Sequence, residues 1–156
     1  MDIAMKSPKI IALLTFKNES WVLQEYINAI KKITNHMVVY DNGSTDNSVQ
    51  ILKDAGALFA EKSTKITEGY QEYELRKLLL EEGRKHGGTH FICIDADEVF
   101  SDVFYTHAKE TILSLRPGQS LWMDWVTLYQ NEFTERVDGV YKKISKNIKK
   151  KKKKKK

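Results

Sequence analysis

The chain has 156 residues, 41% hydrophobic and 30% charged, enough for one packed domain of ordinary size and too apolar for global disorder. Its formal charge of +5 comes from eight consecutive lysines, Lys149 to Lys156; outside them 18 basic residues face 21 acidic ones, a body near −3 without the basicity of a nucleic-acid binder. The single cysteine, Cys93, excludes an intramolecular disulfide and a cysteine-based metal centre, and no apolar run reaches the ~20 residues of a membrane span.

The first apolar run, Ile10 to Phe16, is hydrophobic on both faces, as a central strand of a parallel sheet is. Lys6 and Lys9 before it faintly resemble a signal-peptide start, but Lys17, Asn18 and Glu19 follow at once with no small-residue cleavage site, so a buried strand and a cytoplasmic compartment are expected. Trp21, Val22, Tyr26, Ile27, Ile30 and Ile33 recur at helical spacing, with Asn18 or Ser20 as a candidate cap. Met37 to Tyr40 reads as a second strand running into Asp41-Asn42-Gly43-Ser44-Thr45-Asp46, a hexad of turn and cap residues in which Asp46 or Ser44 caps the next helix. Val49, Ile51 and Leu52 suggest a short helix ending near Gly56, and Leu58 to Ala60 a third strand. Leu75, Leu78, Leu79 and Leu80 mark a helix over Tyr73 to His86 that Gly87-Gly88 stops. Phe91 to Ile94 is a fourth apolar strand, a helix over Val103 to Leu115 stops at Pro117-Gly118, and Leu121 to Tyr129 reads as a last strand.

Strands alternating with helices predict an α/β fold, a mostly parallel sheet flanked by helices with right-handed crossovers. After Asn131 the signal fades: Phe133, Val137, Val140, Tyr141 and Ile144 are too sparse for an element, which sets a domain over 1–144 and a low-complexity, Lys-rich tail over 145–156. An interrupted or misread frame would leave such a tail, and so would a polybasic anchor for an anionic membrane; the absence of an amphipathic apolar partner favours the first.

In an open α/β sheet, ligands bind beyond the carboxyl ends of the strands, and three polar clusters fall there: Thr15 to Glu19, Asp41 to Asp46, and Asp95 to Glu98. If the fourth strand continues, Asp95 and Asp97 face one side, and two carboxylates so close favour a hard divalent cation. An acidic cap on the next helix explains the same spacing; the apolar strand before it tilts the balance toward the metal. Asp41, at a strand end, need not cap and can accept hydrogen bonds from a base N–H or a ribose hydroxyl. No Walker lysine motif or GxGxxG occurs. His86 and His90 straddle Gly87-Gly88 and read as solvated loop residues rather than zinc ligands, while Trp122, Trp125 and Tyr129 read as core more than as a sugar platform. Cys93 reads as an inert thiol in a buried strand.

A first strand running into Lys17-Asn18-Glu19, then DNGSTDNS at Asp41 to Ser48, then IDADE at Ile94 to Glu98, resembles glycosyltransferase family 2 over roughly residues 9 to 130. The resemblance implies a GT-A, Rossmann-like fold. It also implies inverting transfer of a sugar from a nucleotide donor, often a UDP-sugar, to an acceptor hydroxyl on a glycan or lipid-linked glycan, as in polysaccharide biosynthesis. On that basis Thr15, Phe16, Asn18 and Glu19 surround the nucleoside, and Asp41 binds the uracil or ribose. Arg76, by its own context a solvated helix residue, approaches the base or diphosphate. Asp95 and Asp97 form the DxD pair for Mn²⁺ or Mg²⁺, with Asp97 the direct ligand. The general base of the family lies well downstream of DxD. Here Asp124, Glu132, Glu135 and Asp138 are the later carboxylates, none in a clear motif, so the base is unassigned and the acceptor half reads as cut short. The competing expectation is a non-catalytic fragment that binds nucleotide and metal and transfers nothing.

Overall fold

The computed structural model describes residues 7–61, 72–124 and 126, and follows the backbone through Leu128–Tyr129 and Asn131–Glu135. Two compact units are distinguished, Met1–Gly118 and Gln119–Lys156.

The first unit holds β1 (Ile10–Phe16), α1 (Leu23–Lys31), β2 (Met37–Asp41), α2 (Ser48–Asp54), β3 (Leu58–Phe59), α3 (Glu72–Lys85), β4 (His90–Cys93), α4 (Asp102–Tyr105) and α5 (Ala108–Leu113). The strands form one parallel sheet in the order β3-β2-β1-β4. The apolar runs of β1 and β2 are buried almost throughout, as strands covered on both faces require. Their alternation sorts the core into two layers. Ile10, Ala12, Leu14 and Phe16 point to the side of α1, α2, α4 and α5, where Leu23, Tyr26, Ile30, Leu52, Phe104 and Ile112 meet them. Ile11, Leu13, Val38 and Tyr40 point to the other side, under Leu75 and Leu79 of α3. That helix closes through Gly87 in the left-handed region (φ +81°). A Cβ on Gly88 would lie 2.8 Å from the Gly83 carbonyl and 2.6 Å from the Phe91 ring, so the tight return into β4 requires glycine there.

Three expectations change. The helix over 21–33 begins only at Leu23, and its N-cap, Val22, makes no side-chain cap bond; Asn18 and Ser20 are engaged elsewhere, as described below. The helix over Val103 to Leu115 is two short helices, because the Thr106 hydroxyl turns back to the Val103 carbonyl (2.7 Å) and the chain restarts at His107. His90 is anchored rather than solvated: its ring nitrogens bond the Thr89 hydroxyl (2.9 Å) and the Leu115 carbonyl (3.2 Å). His86, by contrast, is an exposed turn residue as expected, with Glu82 3.3 Å away.

In the second unit, β5 (Leu128–Tyr129) pairs antiparallel with β6 (Asn131–Glu135), so the strand expected over 121–129 is confined to its end and a further strand lies where the sequence signal fades. Leu121, Trp122, Met123 and Val126 are exposed, Trp122 at 88%; the core reading of Trp122 fails because it lies outside β5, on exposed chain before it. The side chains of Trp125, Tyr129, Glu132 and Glu135, and all of Asp138, Val140, Tyr141, Ile144 and the Lys149–Lys156 run, lie outside the described residues. No helix among the described residues is long and apolar enough to cross a membrane.

Tyr26 of α1 is fully buried, and its hydroxyl has no hydrogen-bond partner among the described residues. Burial pushes its pKa far up. Removing an unsatisfied buried hydroxyl relieves a desolvation penalty of ~1–3 kcal/mol, so Tyr26→Phe is expected to leave the unfolding free energy unchanged or raise it by about 1 kcal/mol in urea titration. A loss of that size would show that the hydroxyl is bonded in solution, through a buried water.

Candidate functional site

The order β3-β2-β1-β4 places a topological switch between β1 and β4: the chain steps outward through β2 and β3, then crosses back to the far side of β1. In such sheets the crevice beyond the carboxyl ends at the switch is where ligands bind. β1 and β2 end level, with Phe16 beside Asp41, whereas β4 stops short, its last residue Cys93 lying beside Leu13. A small cleft opens there, lined by Leu13, Thr15, Arg76, Leu79, Cys93, Ile94 and Asp95.

The β4 end departs from the sequence expectation. The strand stops at Cys93, and Asp95 to Glu98 is a closed turn rather than continued strand. The Asp95 amide donates to the Glu98 carboxylate (2.8 Å), and the Glu98 amide donates to the Asp95 carbonyl (3.1 Å). Period-two alternation therefore does not align Asp95 and Asp97; the Glu98 turn presents them, both exposed, while Ala96 between them is buried. Arg76 reaches in from α3. Its guanidinium pairs with Glu72 at 2.6 Å and with Asp95 at 3.4 Å, so it is tied to the carboxylate turn and is not merely a solvated helix residue. Cys93 is exposed at the strand end, not buried, yet desolvation by its surroundings raises its pKa and keeps it a thiol at neutral pH.

Glu19, half-buried after β1, completes a negative rim. Burial first, and then the charge of Asp97, raise its pKa; Asp46 and Asp95 add to the effect, while a bond from Trp21 opposes it. Carboxylates from three separate strand ends thus share one electrostatic neighbourhood, with Arg76 at its edge. Among the described residues no group of three or more His, Cys, Asp or Glu side chains is arranged to hold a metal ion by itself.

Two expected nucleoside contacts are placed otherwise. Phe16 is 3% exposed and packs edge-to-face on Phe59 at 6.2 Å; strand parity turns it into the core, so only its backbone reaches the strand end. Asn18 takes a left-handed conformation (φ 57°), and its side-chain oxygen accepts from the Thr45 amide at 2.7 Å. Asp41 does serve its turn, accepting from the Ser44 amide at 2.8 Å; a carboxylate has about four acceptor positions, so the turn does not exhaust it. Thr15 lies half-buried in the cleft wall.

Sequence reasoning missed how the β1–α1 and β2–α2 loops are joined. Three successive amides of the first loop donate to three side chains of the second: Asn18 to the Ser44 hydroxyl (3.0 Å), Glu19 to the Ser48 hydroxyl (2.8 Å) and Ser20 to the Asp46 carboxylate (3.0 Å). The density of short acceptors in SerThrAspAsnSer was the available signal. Asp46 is anchored by the Ser48 hydroxyl foremost, by Ser20 and by the Ser48 amide, which holds its pKa far below the carboxylate range. A depressed folded-state pKa contributes stability that is present above the unfolded value near 4 and lost as pH falls through the folded one. The stability contributed by Asp46 should therefore fade as pH falls below ~4, and Asp46→Asn should flatten that part of the stability–pH curve; an unchanged curve would remove Asp46 as its source.

Residues 12–117 match the family described as glycosyl transferase family 2. An uncharacterized glycosyltransferase of Rickettsia prowazekii is 45% identical over 49 residues, 31% of this chain and 17% of the relative; one of Rickettsia typhi is 43% identical over the same length. Among solved structures, TarS 1–349 of S. aureus in complex with UDP-GlcNAc matches with a TM-score of 0.54 at 17% identity, over 74% of this chain and 37% of that one. The mannosyltransferase PcManGT of Pyrobaculum calidifontis, in complex with GDP-Man and Mn²⁺, matches with a TM-score of 0.50 at 17% identity, over 72% and 34%. The chain thus spans about a third of the solved chains it resembles. The match over residues 12–117 makes it a member of glycosyl transferase family 2, and its sheet and solved neighbours give it a GT-A-type α/β fold.

Proposed function

We propose that this chain carries the donor-binding half of a transferase that moves a sugar, with inversion, from a nucleoside-diphosphate sugar to an acceptor hydroxyl on a glycan, with a UDP-sugar as the favoured donor. The observation that supports this best is the Arg76–Asp95 pair at the switch point of a parallel sheet, with Glu19 in the electrostatic neighbourhood of Asp95 and Asp97. The fold relatives solved with UDP-GlcNAc and with GDP-Man and Mn²⁺ favour the same class of ligand.

Asp97 and Asp95 fit Mn²⁺ or Mg²⁺: they are hard oxygen donors, exposed, and too few to enclose an ion, which suits a cation that shares its coordination with phosphate oxygens and water. When bound, such a cation stabilises charge developing on a departing diphosphate without needing a proton. The chain's own residues supply the rest. Asp41 accepts hydrogen bonds from the base or ribose, Thr15 and Glu19 border the nucleoside, and Arg76 swings between Asp95 and the diphosphate as a second positive charge. No described carboxylate is assigned as the general base.

Calorimetric titration with UDP, with and without Mn²⁺, followed by assay of UDP release from UDP-sugars, tests the proposal. Mn²⁺-dependent binding with slow release from one UDP-sugar is the expected result. Binding without release from any donor, even with glycan acceptors added, would favour the alternative of a nucleotide-binding fragment that transfers nothing. Absence of binding to UDP and GDP alike would overturn the donor site.

A further inference from the structure

We propose that Ser48 and Asp46 are positioning residues for the donor site, locking the two nucleotide-facing loops into one unit so that Glu19 and Asp41 are held in register before any ligand arrives. This rests on the proposed donor site and deepens it. Ser48 is fully buried. Its hydroxyl accepts from the Glu19 amide (2.8 Å), and its own amide, like that of Ser20, donates to the Asp46 carboxylate at 3.0 Å. On the outer side, Ser44 accepts from the Asn18 amide through its hydroxyl and donates its own amide to Asp41, so the lock ends on the residue assigned to the base or ribose. The amides of residues 18, 19 and 20 are therefore committed to side chains and do not form a phosphate-binding nest, in contrast to a Gly-rich loop. The phosphates must be met from the Asp95–Glu98 side, and the first two loops serve recognition of the nucleoside. A site held by such supports loses affinity when they are removed, because ordering must then occur on binding.

Ser48→Ala and Asp46→Ala remove different halves of the lock. Asp46 is exposed, so its variant does not empty the core. Each is expected to weaken Mn²⁺-dependent UDP binding about tenfold at temperatures where both remain folded, and to speed amide hydrogen exchange at Glu19 and Ser20 at least about tenfold. Asp46→Asn, which keeps one acceptor oxygen, should recover part of the affinity. Gln50→Ala, on the same helix but bonded only to Asp54 in the hydrogen bonds described (2.7 Å), should leave affinity unchanged. Faster exchange with unchanged UDP affinity in both alanine variants would show a purely structural brace and overturn the inference while leaving the donor site intact. Failure of the unaltered chain to bind UDP would overturn the proposed function, and the positioning role with it.

Discussion

Asp97→Asn is expected to lower Mn²⁺-dependent UDP affinity about a hundredfold and leave the melting transition in place. The carboxylate is exposed at the tip of a turn whose backbone is held by Glu98, so the fold does not depend on its charge. In the proposed donor site a cation would lose one of its few protein oxygen ligands, and a hundredfold corresponds to about 2.7 kcal/mol. The same substitution removes the charge that, after burial, does most to raise the Glu19 pKa, so Glu19 should titrate nearer the ordinary carboxylate range. Calorimetry and carboxylate-detected NMR read the two effects separately. Unchanged affinity in Asp97→Asn would remove Asp97 from the metal site.

The second large effect concerns the core. Leu14, 1% exposed in the middle of β1, is packed in the layer formed by α1, α2, α4 and α5. Leu14→Ala should cost about 3 kcal/mol, the sum of lost burial and the cavity left in a sheet whose neighbours on both sides are fixed by hydrogen bonding. For a unit of this size that is a fall in melting temperature on the order of 10–20 °C. A loss under about 1 kcal/mol would mean that the layers repack freely, contrary to the two separate clusters seen.

Much of the fold could be read from the chain because burial on both faces writes itself as unbroken apolar runs. Ile10–Phe16 and Met37–Val39 needed no partner to be recognised as central strands. What those runs do not carry is order in space: the placement of β4 beside β1 rather than beyond β3 follows from pairing of distant segments. Short polar segments were less legible. Thr106 broke one expected helix into two by bonding backward, and Glu98 folded Asp95–Asp97 into a turn where alternation implied a strand.

The site shows the same division. Asp95, Asp97 and Asp41 stood out in the sequence because each follows an apolar strand, although Asp41 also serves its own turn. The bracing roles of Asn18 and Ser48 were not legible, since a small polar residue after a strand can touch a ligand, cap a helix or brace a loop, and only the geometry distinguishes them. Phe16 was misplaced by a single step of strand parity: it follows half-buried Thr15 but points into the core.

The most direct test of the donor site is an amide NMR spectrum of the ¹⁵N-labelled chain with UDP and substoichiometric Mn²⁺, whose paramagnetism broadens nearby signals. The account predicts selective loss of the signals of Glu19, Asp41 and Asp95 to Glu98, reversed by chelating the metal and much weaker without UDP. Broadening that leaves those residues sharp, or that is the same with and without the nucleotide, would contradict it.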